Sequence, residues 1–378
     1  MASEPGDSKH RKISARLQIE IATGKYGVGT RLPSEIQLGQ RFQVSRPTVA
    51  RALRDLEASG LIERRAGSGT YVKTSQDPQS TSTRVLGLLV PGLPKTEIFH
   101  VICGEIASLA RVHGYGLLWG GSTSPFQDSD ASLKHAEEIC QQFIDRKICG
   151  VFFAPAELQP RQEEANFRLA ESLREAGITV VLIDRDIRPF PRRSDFDLVG
   201  IDNFAAGHML AEHLIKLGCR KILFVCRPLS AATVNARIAG VREALVQNRL
   251  QCDSNWVREG DPKDLKFGRS LVSGKLADAI ICANDDTAAM LIRTLGSQGT
   301  RLPHDIRVVG FDDVKYAMLV SVPLTTVHQP CREIAYVAFQ TMLRRLAEPT
   351  LPAQCINLTP TLVVRESCGA YLQRLPTR

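Results

Sequence analysis

Val44-Ser45-Arg46-Pro47-Thr48-Val49-Ala50-Arg51-Ala52-Leu53-Arg54-Asp55-Leu56 decides how this chain of 378 residues is read. Ser45 is a natural helix cap, and Pro47 is tolerated in a first turn, so the stretch predicts a helix. At about 100° per residue from Arg46, Val49, Ala52, Leu53 and Leu56 fall between roughly 240° and 340°, forming one apolar stripe. Pro47, Ala50, Arg51 and Arg54 fall between roughly 40° and 140°, with Arg46 at the rim. One face packs inward while the other offers guanidinium groups outward. In a major groove, an arginine of this kind can fork onto guanine O6 and N7. Ser45 and Thr48 at the helix start suit phosphate oxygens.

Working outward, Ile13, Leu17, Ile19 and Ile21 predict a first helix between His10 and Tyr26. Ser34 and Gln37 form a capping-box pattern, so a second helix starts at Ser34 and ends near Phe42. Gly60 closes the third helix. Leu61-Ile62 and Tyr71-Val72 flank Gly67-Ser68-Gly69, which reads as a hairpin with a glycine tip. Three helices and a hairpin make a winged helix-turn-helix.

Charge supports the division. The chain has 48 Lys and Arg against 40 Asp and Glu, a net +8. Residues 1–74 carry 13 basic and 7 acidic side chains, leaving 35 and 33 for the rest. A basic head on a nearly neutral body points to a polyanion partner. The polar stretch 75–84 reads as a flexible linker. The N-terminus lacks the apolar core of a secretory signal, and no apolar run has the length of a membrane span. The expected location is therefore the cytoplasm, away from membranes. The ten cysteines form no Cys-x-x-Cys pair and no zinc-ligand spacing, so buried reduced thiols are expected and no metal or cofactor.

From residue 85 onward short apolar runs recur, at 85–90, 115–120, 150–154, 179–184, 198–201, 222–225, 279–282 and 307–311. Most gaps hold helix-like sequence. Continuous apolar strands between helices predict parallel sheets covered on both faces, and the length predicts two lobes. The fold class is thus α/β: a winged helix-turn-helix followed by a two-lobed body with two parallel doubly wound sheets. The expected divisions are 1–74, a linker at 75–84, a body at 85–368 and a tail at 369–378. Polar residues end several strands: Asp184-Arg185, Asp202-Asn203, Asn284-Asp285-Asp286 and Asp312-Asp313. Carboxylates, amides and planar arginines suit a hydroxyl-rich ligand in an inter-lobe cleft, although Asp and Asn also cap helices after strands.

Two resemblances sharpen this reading. Leu32-Pro33-Ser34-Glu35, Val44–Val49, Gly60-Leu61-Ile62 and Gly67–Val72 resemble the GntR-family winged-helix reader. The resemblance implies DNA contacts from Arg31, Ser34, Ser45, Arg46, Thr48 and the wing at Gly67, Ser68 and Gly69, with Arg51 beside them. Many relatives carry Arg where this chain has Ala50. Val199–Asn203, Ala236–Gly240, Asn284-Asp285, Val308–Asp313, Pro323–Thr326 and Leu362–Ser367 are similar to the LacI/GalR-type sensor, which shares the periplasmic sugar-binding fold. That similarity implies effector contacts from Arg237, Asn284, Asp312, Asp184 and Phe99. Pro262 follows Gly260-Asp261, where several relatives place a stacking aromatic. The combination is similar to the arabinose-repressor subgroup.

The function expected is a homodimeric repressor that binds palindromic DNA under control of a small polar effector, a sugar. Two other classes compete: a cytoplasmic sugar-binding protein without a regulatory role, and a carbohydrate-modifying α/β enzyme. Against the enzyme, the chain has no Gly-x-Ser-x-Gly, Walker or His-Glu-x-x-His motif.

Overall fold

The computed structural model describes residues 9–22, 25–27, 29–58, 61–65, 68–73, 84–91, 97–120, 129–251 and 254–374. Gly60, Gly67, Cys252 and residues 75–83 of the expected linker lie outside the described residues. The chain separates into two compact units, Met1–Thr83 and Arg84–Arg378.

In the first unit α1 (Lys9–Ala22), α2 (Glu35–Phe42) and α3 (Arg46–Ala58) precede an antiparallel hairpin, β1 (Ile62–Arg65) and β2 (Gly69–Val72). Val49, Ala52, Leu53 and Leu56 are almost wholly buried with Ile13, Leu17, Leu38, Ile62 and Val72. The stripe read from the sequence is the face that α3 turns inward. Ser34 caps α2 as a full capping box: the Gln37 N–H donates to Ser34 Oγ at 3.3 Å, and the Ser34 N–H donates to Gln37 Oε1 at 2.8 Å. Arg31 adds a bridge to Tyr71, so a third short segment joins the wing.

The second unit has two lobes. The first begins with β3 (Val85–Leu89), α4 (Glu97–Val112), β4 (Gly116–Gly120), α5 (Ser129–Asp145), β5 (Gly150–Phe153), α6 (Gln162–Glu175), β6 (Thr179–Ile183) and β7 (Asp197–Ile201). The chain then crosses to the second lobe. There it forms α7 (Asn203–Lys216), β8 (Ile222–Cys226), α8 (Ala232–Gln247), β9 (Val257–Glu259), α9 (Leu265–Val272), β10 (Ala279–Cys282), α10 (Asp285–Ser297), β11 (Arg307–Asp312) and β12 (Thr325–His328). It returns as α11 (Cys331–Ala347) and β13 (Cys355–Leu358), then crosses a last time to β14 (Thr361–Val363).

The first sheet runs β13-β7-β6-β5-β3-β4 and is parallel throughout. The second runs β14-β12-β11-β10-β8-β9, with only β14 antiparallel. All eight apolar runs are strands of these sheets. A buried ion pair joins the returning helix to the first sheet: both Asp197 carboxylate oxygens meet Arg345, at 2.8 and 2.9 Å.

Two differences from expectation stand out. Residues 370–374 of the expected tail form a 3-10 turn, with Ala370 packed against the core. Cysteine burial is also uneven. Cys103, Cys140, Cys219, Cys226, Cys282 and Cys368 are buried, Cys149 and Cys331 are half-buried, and Cys355 is exposed. Burial pushes the Cys103 thiol up to about 12, which suits a small hydrophobe rather than a nucleophile.

Candidate DNA-reading face and inter-lobe cleft

On the reader, Ser45, Arg46, Arg51 and Arg54 are exposed along α3, opposite its buried stripe, and Thr48 is half-buried. The Ser45 hydroxyl lies 2.8 Å from the Thr48 hydroxyl, so the pair closes the helix start together. Arg46 does not swing free. Its Nε donates to Glu35 Oε2 at 2.9 Å, a bond that leaves the terminal nitrogens of the fork uncommitted among the described residues. Arg64, on β1, reaches the other Glu35 oxygen at 3.5 Å, Glu57 at 3.5 Å and the Ala50 carbonyl at 3.3 Å. This one side chain connects the wing to α2 and α3. Arg64 did not stand out in the sequence, and Glu35 only as a member of the Leu32–Glu35 block, because their role depends on the meeting of three elements.

At the wing, Gly69 has φ +123°, and a Cβ there would meet the Arg31 guanidinium. Arg31 therefore lies flat on the glycine backbone. Tyr71 bonds Ser68 through its hydroxyl at 2.8 Å and carries the Arg65 guanidinium 4.7 Å above its ring. Ser34, expected to touch DNA, is already occupied as a cap, with its hydroxyl still exposed. A buried carboxylate stiffens the unit from below: Glu20 pairs with Arg41 and Lys25, and these cations hold it down at about 2.

In the second unit the four strand-end clusters separate into two kinds. Asp202 caps α7 through the Ala205 N–H at 2.9 Å, and Asn284 caps α10 through the Thr287 N–H at 2.9 Å. Asp184 and Asp312 cap nothing. Both have left-handed backbones, with φ +69° and +114°, and Asp313 follows at +55°. Such strain in non-glycine residues persists where the surroundings fix it, and it gathers at ligand sites.

Asp184 and Asp312 stand at the carboxyl ends of strands in opposite lobes. Arg237, on α8, donates to Asn203 Oδ1 at 2.8 Å and to the Ala283 carbonyl at 2.6 Å. It lies 3.6 Å from Asp312 and 4.5 Å above the Phe311 ring. Gln329 donates to Asp312 at 2.7 Å. On the opposite lobe, Arg185 pairs with Asp184 at 2.9 Å and Glu157 at 2.8 Å, over the ring of buried Phe99 at 5.4 Å. Phe99 thus supports a guanidinium from beneath.

Burial pushes Asp312 up to about 6; Arg237 opposes this, while Asp184 and Glu157 add to it. Burial also acts on Glu157, but Arg185 outweighs it and leaves that carboxyl below its usual range. Two enclosed acceptors in this network have no partner among the described residues: Asp184 Oδ1 and Gln329 Oε1. The lobes are also bonded across the cleft mouth. The Leu158 N–H donates to the Leu229 carbonyl at 2.8 Å, and the Ala231 N–H to Glu157 at 3.3 Å. Of the expected effector residues, the structure brings Arg237, Asp312, Asp184 and Phe99 to one network and assigns Asn284 a capping bond beside it. Asn203, Glu157, Arg185 and Gln329 were missed. Asn203 and Arg185 sat in quoted clusters; Glu157 and Gln329 lie in loops with no motif.

A winged reader joined to a strained, polar, two-lobed cleft defines a class: transcriptional regulators that carry their own sensor. The pattern described as bacterial regulatory proteins, gntR family, matches residues 9–72, and that of the periplasmic binding protein-like domain matches 211–368. An HTH-type transcriptional repressor PurR from Histophilus somni (strain 129Pt) is 30% identical over 291 residues, 76% of this chain and 82% of that protein. The chain belongs to this family of HTH-type transcriptional repressors, with a GntR-type reader at its front. The arabinose metabolism transcriptional repressor of Geobacillus stearothermophilus is 25% identical over 95% of this chain and 97% of its own length. The fold is also that of the transcriptional regulator CelR in complex with cellobiose, with TM-score 0.62 and 23% identity over 86% of this chain and 92% of the other. These relatives are regulators, not enzymes.

Proposed function

We propose that this protein is a repressor whose winged reader binds duplex DNA and whose inter-lobe cleft binds a hydroxyl-rich effector that changes DNA affinity. The observation that carries the reading is the pair of uncapped, strained aspartates at strand ends of the two lobes, Asp184 and Asp312, with Asp184 Oδ1 and Gln329 Oε1 unsatisfied among the described residues. Hydroxyls are the natural donors to such oxygens, because one carboxylate can accept from two neighbouring hydroxyls. The relative named for arabinose metabolism and the neighbour holding cellobiose support a sugar.

On the reader, Arg46 and Arg51 face base edges. Arg31, Ser34, Ser45, Thr48, Ser68 and Gly69 approach the DNA backbone, together with Gly67, which is outside the described residues. A homodimer brings two readers to the half-sites of a palindrome, as two-fold symmetry requires. Ligand binds one lobe arrangement better than the other, and coupling of about 1–3 kcal/mol follows from that difference. The test is fluorescence anisotropy on duplexes selected by the full-length protein from a random pool, repeated across monosaccharides and polyols. A ligand-dependent shift in midpoint is expected; absence of any sequence-selective duplex binding would overturn the reading.

A further inference from the structure

Beside the Asp184 network lies a hollow of about 60 Å³, partly open to solvent. Its walls are the loop after β6, the β7–α7 crossover and the first turn of α8. A second hollow of about 50 Å³ adjoins it, sharing Arg185, Asp186, Arg188 and Ala232.

The charges on these walls do not cancel locally. Asp184 is paired with Arg185. Asp186 accepts the backbone N–H groups of Arg188 at 2.9 Å and Ser194 at 3.1 Å, and Asp202 is used as a cap. Each acid is engaged inside the chain. Arg192 and Arg193 are exposed at the rim and form no ion pair among the described residues. The Arg188 guanidinium lies over the Phe167 ring, 4.4 Å from its centroid, with no carboxylate partner among the described residues. Opposite them, α8 starts at Ala232 behind Ala231, which gives no side-chain cap, and Glu157 accepts the Ala231 N–H at 3.3 Å. Ala232 and Thr233, in the first turn of this 16-residue helix, line the same hollow.

The helix end alone would indicate nothing about a ligand. The independent observation is Asp184: the residue is 5% exposed, lines the hollow, and keeps Oδ1 without a donor. One wall demands a hydroxyl, and the rim beside it demands an anion.

Resting on the sensor reading above, we propose that the effector is an acidic polyol, a sugar bearing a carboxylate or a phosphate. A hydroxyl donates to Asp184, and the acid group is held by the Arg188–Arg193 loop at the rim. The planar guanidinium fork binds either acid group through two parallel hydrogen bonds.

The test uses the full-length protein, isothermal titration and thermal shift. Its ligands are matched sets: glucose, glucuronate and glucose 6-phosphate, then ribose and ribose 5-phosphate, with inorganic phosphate as a control. At least one acidic member should bind tenfold or more tightly than its neutral parent. The double variant Arg192→Ala with Arg193→Ala, at exposed sites that leave the core intact, should remove that advantage while binding of the neutral parent stays the same. Asp184→Asn should weaken both acidic and neutral members. A carboxylate preference or a phosphate preference identifies the acid group.

Equal binding of neutral and acidic members, or undiminished acid binding by the double variant, overturns the acid-group inference and leaves the sugar-sensor reading standing. Stabilisation by inorganic phosphate equal to that by the sugar phosphate overturns the polyol half. No binding by any member overturns both readings.

Discussion

Arg46 is exposed yet oriented, and the difference can be measured. Glu35 holds its Nε, so the fork is aimed before DNA arrives and less rotamer freedom is lost on binding. Arg46→Ala should weaken a selected duplex by about 1–3 kcal/mol and relax discrimination at one position, leaving effector binding unchanged. Asp312 makes a prediction about acid. Its carboxyl, near 3.8 when unfolded, sits at about 6 in the fold, so the native state holds the extra proton between those values. Asp312 therefore costs the sensor stability above pH 6, and that cost fades as pH falls toward 4. Thermal melts across pH 4–7 should show wild type gaining on Asp312→Asn as the solution is acidified; parallel curves would contradict this. Glu20 has the opposite sign. Its carboxyl is lowered to about 2, so its stabilisation is complete above about 4.5 and is lost as pH falls from there toward 2. Glu20→Gln should lower the reader's melting midpoint at pH 7, and the gap should close in that acid window.

At the scale of elements, Arg64 joins the wing to both helices of the reading motif through Glu35, Glu57 and the Ala50 carbonyl. Arg64→Ala should loosen that joint. We expect reduced duplex affinity, with a double-mutant cycle against Glu35→Ala giving a non-additive coupling. In the sensor, α7 and α8 pack backbone to backbone: a Cβ on Gly240 would strike the Phe204 carbonyl, and one on Gly207 the Arg237 carbonyl. Gly240→Ala should cost about 1–3 kcal/mol and displace Arg237, seen as a lower melting midpoint with weaker effector binding. These elements also show where sequence reading succeeds. The three reader helices, the hairpin and eight strands of the two sheets were legible because periodicity and caps are local. β9, β12, β13 and β14 were not: Val257–Glu259, Cys355–Leu358 and Thr361–Val363 are short and partly exposed, and Thr325–His328, though buried, has no apolar run. The strain at Asp184 and Asp312 was equally hidden, because a left-handed backbone leaves no mark in a sequence that also fits a cap.

The whole chain combines a basic reader with a sensor of little net charge, so on the proposed reading its affinity for DNA should rest on phosphate contacts. Log affinity should fall linearly with log salt, by about 0.9 for each phosphate neutralised. A flat response would exclude the reader face described here. An effector at 100 times its Kd should stabilise the sensor by about 2.7 kcal/mol, moving the melting midpoint upward by a few degrees.

The three chain crossings between the lobes bear on biosynthesis. The first sheet lacks its edge strand β13 and its covering helix α11 until residues 331–358 have been made, and the Asp197–Arg345 clasp spans that whole interval. The first lobe therefore cannot be completed until all of the second except β14 has been translated. A message cut short before codon 331 should leave the first sheet without its edge strand and its covering helix.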